Sequence, residues 1–106
     1  MKGLIDIFEK INKIMNEKPQ VILELEKELR VKIDSYKLNV NDEITTLYLN
    51  TTSITDISPL SGLVNLTNLD LRNNEITDIS PLSELVNLSN LDLRNNEIMD
   101  VSPLSG

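Results

Sequence analysis

Asp70 and Asp92, two carboxylates 22 residues apart, are the pair whose type and spacing most invite catalysis. On adjacent strands they would lie about 4.8 Å apart, close enough to share a proton or hold a cation. The rest of the composition argues against that chemistry. The chain has no histidine and no cysteine, which removes the commonest general base, the commonest metal ligand and the thiol nucleophile together. Asn41-Asp42-Glu43 lacks the spacing of a calcium loop, and three glycines build no phosphate cradle. Arg72 and Arg94 follow the two acids at the same offset and stand beside them as counter-charges. The acids therefore read as one repeated position stacked on itself, at a small cost from like charges placed opposite each other. The expectation is no enzyme, no metal and no cofactor.

The element that must position these residues is a tandem repeat. Ile44, Leu66 and Leu88 each open a copy of the same 22-residue pattern. The copy from Ile44 agrees with the copy from Leu66 at 14 of 22 positions, and the copy from Leu88 agrees with it at 15 of 19 before the sequence stops. Tandem units of this length stack as a solenoid in which each touches its neighbours and the product is an extended surface. Within a copy, Asn68-Leu69-Asp70-Leu71-Arg72 alternates with period two, a short strand with its leucines inward and its polar residues outward. The other copies place Thr46, Tyr48, Asn50, Asn90, Asp92 and Arg94 on that outward face. On the opposite side, Ser58-Pro59, Ser80-Pro81 and Ser102-Pro103 read as a capping hydroxyl followed by a residue preset for the first helical position, so each begins a short helical turn.

The order L-x-x-L-x-L-x-x-N-x-I, with the tail T-D-I-S-P-L-x-x-L, resembles the leucine-rich repeat of the bacterial internalin-like subtype over residues 44–106. The resemblance implies an α/β solenoid with a short parallel sheet on the concave face and helical turns on the convex face. It also implies that Asn74 is buried to satisfy turn backbone, that Asn96 stacks on it, and that Thr52 marks the first copy as an edge unit. Residues 1–43 then form a helical N-terminal cap, and residues 44–65, 66–87 and a truncated 88–106 form the repeats.

That N-terminal segment contains two amphipathic stripes. Leu4, Ile7, Phe8, Ile11, Ile14 and Met15 recur at three- and four-residue intervals over about 3–16. Val21, Ile22, Leu25 and Leu29 continue after Pro19 to about Arg30, with Glu24, Glu26, Lys27 and Glu28 solvated. An extended link over 31–33 and 36–40 leads into the first repeat. Helix two, or both helices, cap Ile44, Leu47 and Leu49. The sharper alternative gives the Leu4, Phe8 and Ile11 face to a partner's groove.

Charge narrows the partner class. Residues 1–43 hold eight Lys/Arg and nine Asp/Glu, whereas residues 44–106 hold two Arg and eight acids. An acidic repeat region without a basic patch repels nucleic acid. No run approaches the roughly 18 apolar residues of a membrane span. Charges at Lys2, Asp6, Glu9 and Lys10 interrupt what would be a signal peptide's apolar core, so the expected location is cytoplasmic. Three Asn-x-Ser/Thr sites, at Asn50, Asn65 and Asn87, are then unused.

The functional expectation is a protein-binding module whose concave face offers Tyr48, Asn50, Asn68, Asp70, Arg72, Asn90, Asp92 and Arg94. Tyr48, the one aromatic on that face, reads as an interface anchor or as packing at the cap junction. The alternative is a scaffold, or the front of a longer array, that forms a homo-oligomer through the C-terminal edge of Leu88, Leu91, Leu93, Ile98 and Val101.

Overall fold

The computed structural model describes residues 2–16 and 18–104, with side chains described for 3–11 and 18–104. It is elongated, 62 × 26 × 17 Å. Two helices, α1 (Lys2–Asn16) and α2 (Gln20–Leu29), precede four short strands, β1 (Tyr36–Leu38), β2 (Ile44–Tyr48), β3 (Asn68–Asp70) and β4 (Asn90–Asp92). A 3-10 turn follows β2, β3 and β4, at Ser58–Leu60, Ser80–Leu82 and Ser102–Leu104.

The four strands form one sheet in sequence order, antiparallel between β1 and β2 and parallel thereafter. Equivalent positions of successive copies pair directly: Leu47 with Leu69 with Leu91, and Tyr48 with Asp70 with Asp92. A 22-residue period leaves no other in-register solution, because a one-residue slip would turn every inward leucine to solvent. The core is one continuous cluster running from Ile22, Leu25 and Leu29 of α2 through Leu47, Leu49, Ile57 and Leu60 to Leu69, Leu71, Ile79 and Leu82.

Asn74 sews the first two repeats together. Its Oδ1 accepts from the backbone N–H of Thr52 at 3.0 Å and Ile54 at 3.1 Å. Its Nδ2 donates to the carbonyls of Leu49, Leu71 and Arg72 at 2.9 to 3.2 Å. One buried amide thereby satisfies backbone groups that the tight turn leaves unpaired. Asn96 repeats the arrangement one step on, accepting from Ile76 and donating to Leu71, Leu93 and Arg94. The two amides are coupled through the shared Leu71 carbonyl. Thr52, in the first copy, donates its hydroxyl to the Leu49 carbonyl at 2.8 Å, a smaller version of the same task.

The chain just before these amides turns through the left-handed region, at φ 57 for Thr51, 58 for Asn73 and 59 for Asn95. Asparagine tolerates that conformation, whereas β-branched Thr51 is strained in it.

The structure corrects two expectations. The first two 3-10 turns are not capped by serine hydroxyls, and all three begin at the serine itself, whose backbone N–H donates to the aspartate two residues earlier. Asp56, Asp78 and Asp100 accept at 2.9 Å. Those backbone N–H bonds hold the Asp78 and Asp100 carboxyls below their ordinary range. Glu26 is not freely solvated. It accepts from the Ile33 backbone N–H at 2.7 Å and from Lys18, which also pairs with Asp34 at 3.1 Å. Because Arg30 ends α2 in the left-handed conformation, the chain reverses there and brings Ile33 back to Glu26.

Of the two arrangements expected for the cap, the structure takes helix two. α2 alone buries its apolar stripe on the repeats, packing on the first 3-10 turn. On α1, Leu4, Ile5, Ile7, Phe8 and Ile11 remain 51 to 70% exposed. The side chains of Ile14 and Met15, and residues Ser105 and Gly106, lie outside the described residues.

Candidate protein-binding face

The outward side chains of β2, β3 and β4 form rows across the sheet because the strands pair without offset. At the first row, Thr46, Asn68 and Asn90 lie side by side. Asn90 Nδ2 donates to Asn68 Oδ1, and Asn68 Nδ2 reaches the Thr46 hydroxyl at 3.4 Å and that of Thr67 at 3.2 Å. Thr46 is only 2% exposed, so it is covered rather than presented, contrary to its expected place on the open face. Its strand is flanked by β1 on one side and by Asn68 on the other, a neighbourhood that the repeat pattern could not disclose.

The second row is Tyr48, Asp70 and Asp92. Arg72 folds back on Asp70, with Nε to Oδ1 at 3.0 Å and Nη2 to Oδ2 at 2.9 Å, and the Arg72 backbone N–H also donates to Oδ1 at 3.1 Å. Asn50 donates to the remaining face of Oδ2 at 2.9 Å. Arg72 leans toward the next rung as well, 3.5 Å from Asp92. Arg94 holds Asp92 in the same fork, with Nη2 to Oδ2 at 2.7 Å. Like charges at one register are thus interleaved with guanidinium groups, and the row is electrically neutral.

This geometry disposes of the carboxylate-dyad reading. Hydrogen bonding from Arg72 holds the Asp70 carboxyl below its ordinary value, and Arg94 does the same for Asp92. A general acid or base at neutral pH needs the opposite shift. Both acids are committed to positioning arginines, a fork geometry that fixes guanidinium planes as well as charge.

What remains available is an open trough of about 580 Å³ over the sheet, lined by Tyr48, Asn68, Asp70, Arg72, Asn90 and Asp92 among others. Tyr48 stands at its edge, 43% exposed, and its side chain donates to and accepts from no described residue. The arginine side chains retain 39% (Arg72) and 71% (Arg94) exposure. Asn50, Asn68 and Asp70 are engaged within the ladder; Tyr48, Asn90, Arg72 and Arg94 are the members that still offer surface. The acid excess of the repeats lies elsewhere, at Asp56, Glu75, Asp78, Glu84, Glu97 and Asp100. Sequence reading missed Leu69, Ser89 and Leu91 as lining residues of the trough, because the period-two pattern turns both leucines inward and leaves Ser89 outside the outward-facing set.

Comparison with known proteins adds independent information. The family model described as Leucine Rich repeats (2 copies) matches twice, over residues 42–84 and 64–106. No curated protein matches. Among solved structures, an internalin (inlF) from Listeria monocytogenes is similar with a TM-score of 0.56 and 57% sequence identity, covering 57% of this chain and 18% of that one. An internalin C2 (inlC2) from the same organism is 39% identical with a TM-score of 0.45, covering 58% of this chain and 37% of that one. The chain therefore spans less than a fifth of the first of these proteins and little more than a third of the second.

Proposed function

The chain belongs to the leucine-rich repeat family, in its internalin-like form, and on that premise we propose that its concave sheet binds a folded protein partner, with Tyr48 as the anchor. Members of this class are interaction modules in general rather than enzymes. The observation that carries the finer reading is Tyr48 itself: a half-exposed aromatic whose hydroxyl bonds to no described residue, beside a hydrogen-bonded ladder that has already given up its side-chain freedom. A pre-ordered surface loses little entropy on binding, and tyrosine supplies apolar area with a polar tip. Because the Asp–Arg rows cancel, the face favours a neutral, polar partner surface rather than a strongly basic one.

Partner affinity of the Tyr48→Ala/Arg94→Ala double variant tests this, measured by capture from host extract and then titration. An anchor role predicts a loss of roughly 30-fold or more, with the urea midpoint unchanged and Val86→Ser, on an exposed position away from the sheet, binding normally. Undiminished binding by the double variant removes the concave face from the account. A second reading rests on the third copy. Leu88, Leu91, Leu93 and Ile98 are only partly buried where Leu66, Leu69, Leu71 and Ile76 are fully so. On that reading further repeats or another copy cover this edge, and the chain serves as a scaffold segment.

A further inference from the structure

We propose that Lys37, on β1, is a specificity residue of the concave face, where it receives a carboxylate from the partner protein beside the Tyr48 anchor. This rests on the concave-face reading above and adds to it the chemistry of the partner and the direction in which it lies.

β1 pairs antiparallel with β2, with Tyr36 opposite Leu47 and Lys37 opposite Thr46. Residues directly opposite in such a pair project to the same side of the sheet, so Tyr36 joins Leu47 at the core and Lys37 joins Thr46 on the concave side. Burial agrees: Tyr36 is partly buried against the core, whereas Lys37 is exposed. One step along, the Tyr48 backbone N–H donates to the Ser35 carbonyl at 3.2 Å, which sets Ser35 level with Tyr48. Tyr48 therefore has neighbours on both sides, Ser35 toward the cap and Asp70 toward the repeats, with Lys37 on the diagonal. Diagonal neighbours lie about 7–8 Å apart, within reach of an aromatic and a long side chain. The repeat pattern opens at Ile44, so it did not disclose that the face continues onto residues 35–37.

Charge distinguishes the two halves of this face. Across the repeats, Asp70 and Asp92 are each held by an arginine, and their row sums to zero. Lys37 forms no ion pair with a described residue, which leaves it the one uncompensated charge among the outward positions of the four strands. An exposed lysine on its own is merely hydrated. Position sets this one apart, because a partner that covers the Tyr48 ring also strips water from the ammonium beside it. An unmatched cation there costs affinity, and a carboxylate both accepts its hydrogen bond and neutralises it. The partner thus lies with its acid toward the cap and its neutral, polar surface over the Asp–Arg rows. The reverse orientation would set acid against Asp92 and leave Lys37 unmatched, so one charge also selects the direction.

A library of loop sequences displayed on one folded scaffold domain tests the proposal, selected on the full chain and depleted on the Tyr48→Ala/Arg94→Ala variant so that concave-face binders remain. These binders should carry Asp or Glu, and their affinity should fall about tenfold for Lys37→Met and about 100-fold for Lys37→Glu. Replacing the binder's acid by Lys should return its affinity for Lys37→Glu to within about threefold of the original pair, since the swap exchanges the two charges. The urea midpoint of each variant should not move, because the Lys37 side chain is exposed and the β1 ladder uses its backbone. Lys37→Gln, which keeps a polar side chain, should lose as much as Lys37→Met. Binders indifferent to both neutral variants, within about twofold, overturn this inference and leave the concave-face reading standing. A loss that the charge swap does not restore overturns the carboxylate as occupant. Failure to recover any binder that tells the wild type from the double variant overturns the concave-face reading, and this inference with it.

Discussion

α1 and α2 begin from the same kind of sequence and end in opposite situations. Both are amphipathic helices joined by three residues. Only α2 lies where the first repeat exposes its aliphatic edge, and there Ile22, Leu25 and Leu29 become part of the core. Glu26 and Lys18 fasten that helix to the chain on either side of it. α1 keeps its apolar face outward. An amphipathic stripe states that a helix needs a partner; it does not state whether the partner is in the same chain.

The largest difference between the two helices should appear on truncating matched apolar residues. Leu25→Ala is expected to lower unfolding free energy by about 2–5 kcal/mol, as for a buried leucine losing its packing. Ile11→Ala, measured by urea titration at low micromolar concentration, should change it by less than about 0.5 kcal/mol. Equal losses would mean that α1 packs on the repeats in solution and would erase the contrast.

A smaller effect separates the helices by pH. The Glu26 carboxyl is lowered, first by the Ile33 N–H and then by Lys18. A carboxyl more acidic in the folded chain contributes stability above its unfolded value, and that stability is lost as pH falls through the folded value. Urea midpoints should therefore hold steady above about pH 5 and decline below it. Glu26→Gln should start from a lower plateau and decline less steeply, because one of several such carboxyls is gone. A variant with the wild-type slope would show that Glu26 takes no part. The smallest expected effect is at Gly3, whose added Cβ would meet nothing within 4 Å. Gly3→Ala should raise α1 helicity, read by circular dichroism, from a gain of at most about 0.5–1 kcal/mol near the fraying end. The unfolding midpoint of the repeats should not move.

Most of the repeat architecture was readable in advance because tandem identity turns one local pattern into a register. Once Leu47, Leu69 and Leu91 are equivalent, stacking them fixes the pairing of Tyr48, Asp70 and Asp92 without further information. The locations of Asn74 and Asn96 followed from the resemblance alone; the count of backbone groups that each satisfies did not. Thr46 was misplaced for a physical reason. Period two tells which side of a strand a residue faces but not what else covers that side. The serine hydroxyls were misassigned as caps because Ser-Pro and Asp-x-Ser-Pro offer the turn competing oxygens, and the aspartate two residues earlier reaches the first N–H.

The amino-acid sequence by itself determined the repeat unit, its inward and outward residues, and the absence of any histidine or cysteine on which to build chemistry. Those are properties of spacing and composition, and they survive any arrangement of neighbours. The tertiary structure decided the reach of Arg72 across to Asp92 of the next repeat, the covering of Thr46, and the different fates of two similar helices. Each of these depends on which groups far apart in the chain arrive at one place, and hydrogen bonds and burial are energies of proximity that no single segment encodes.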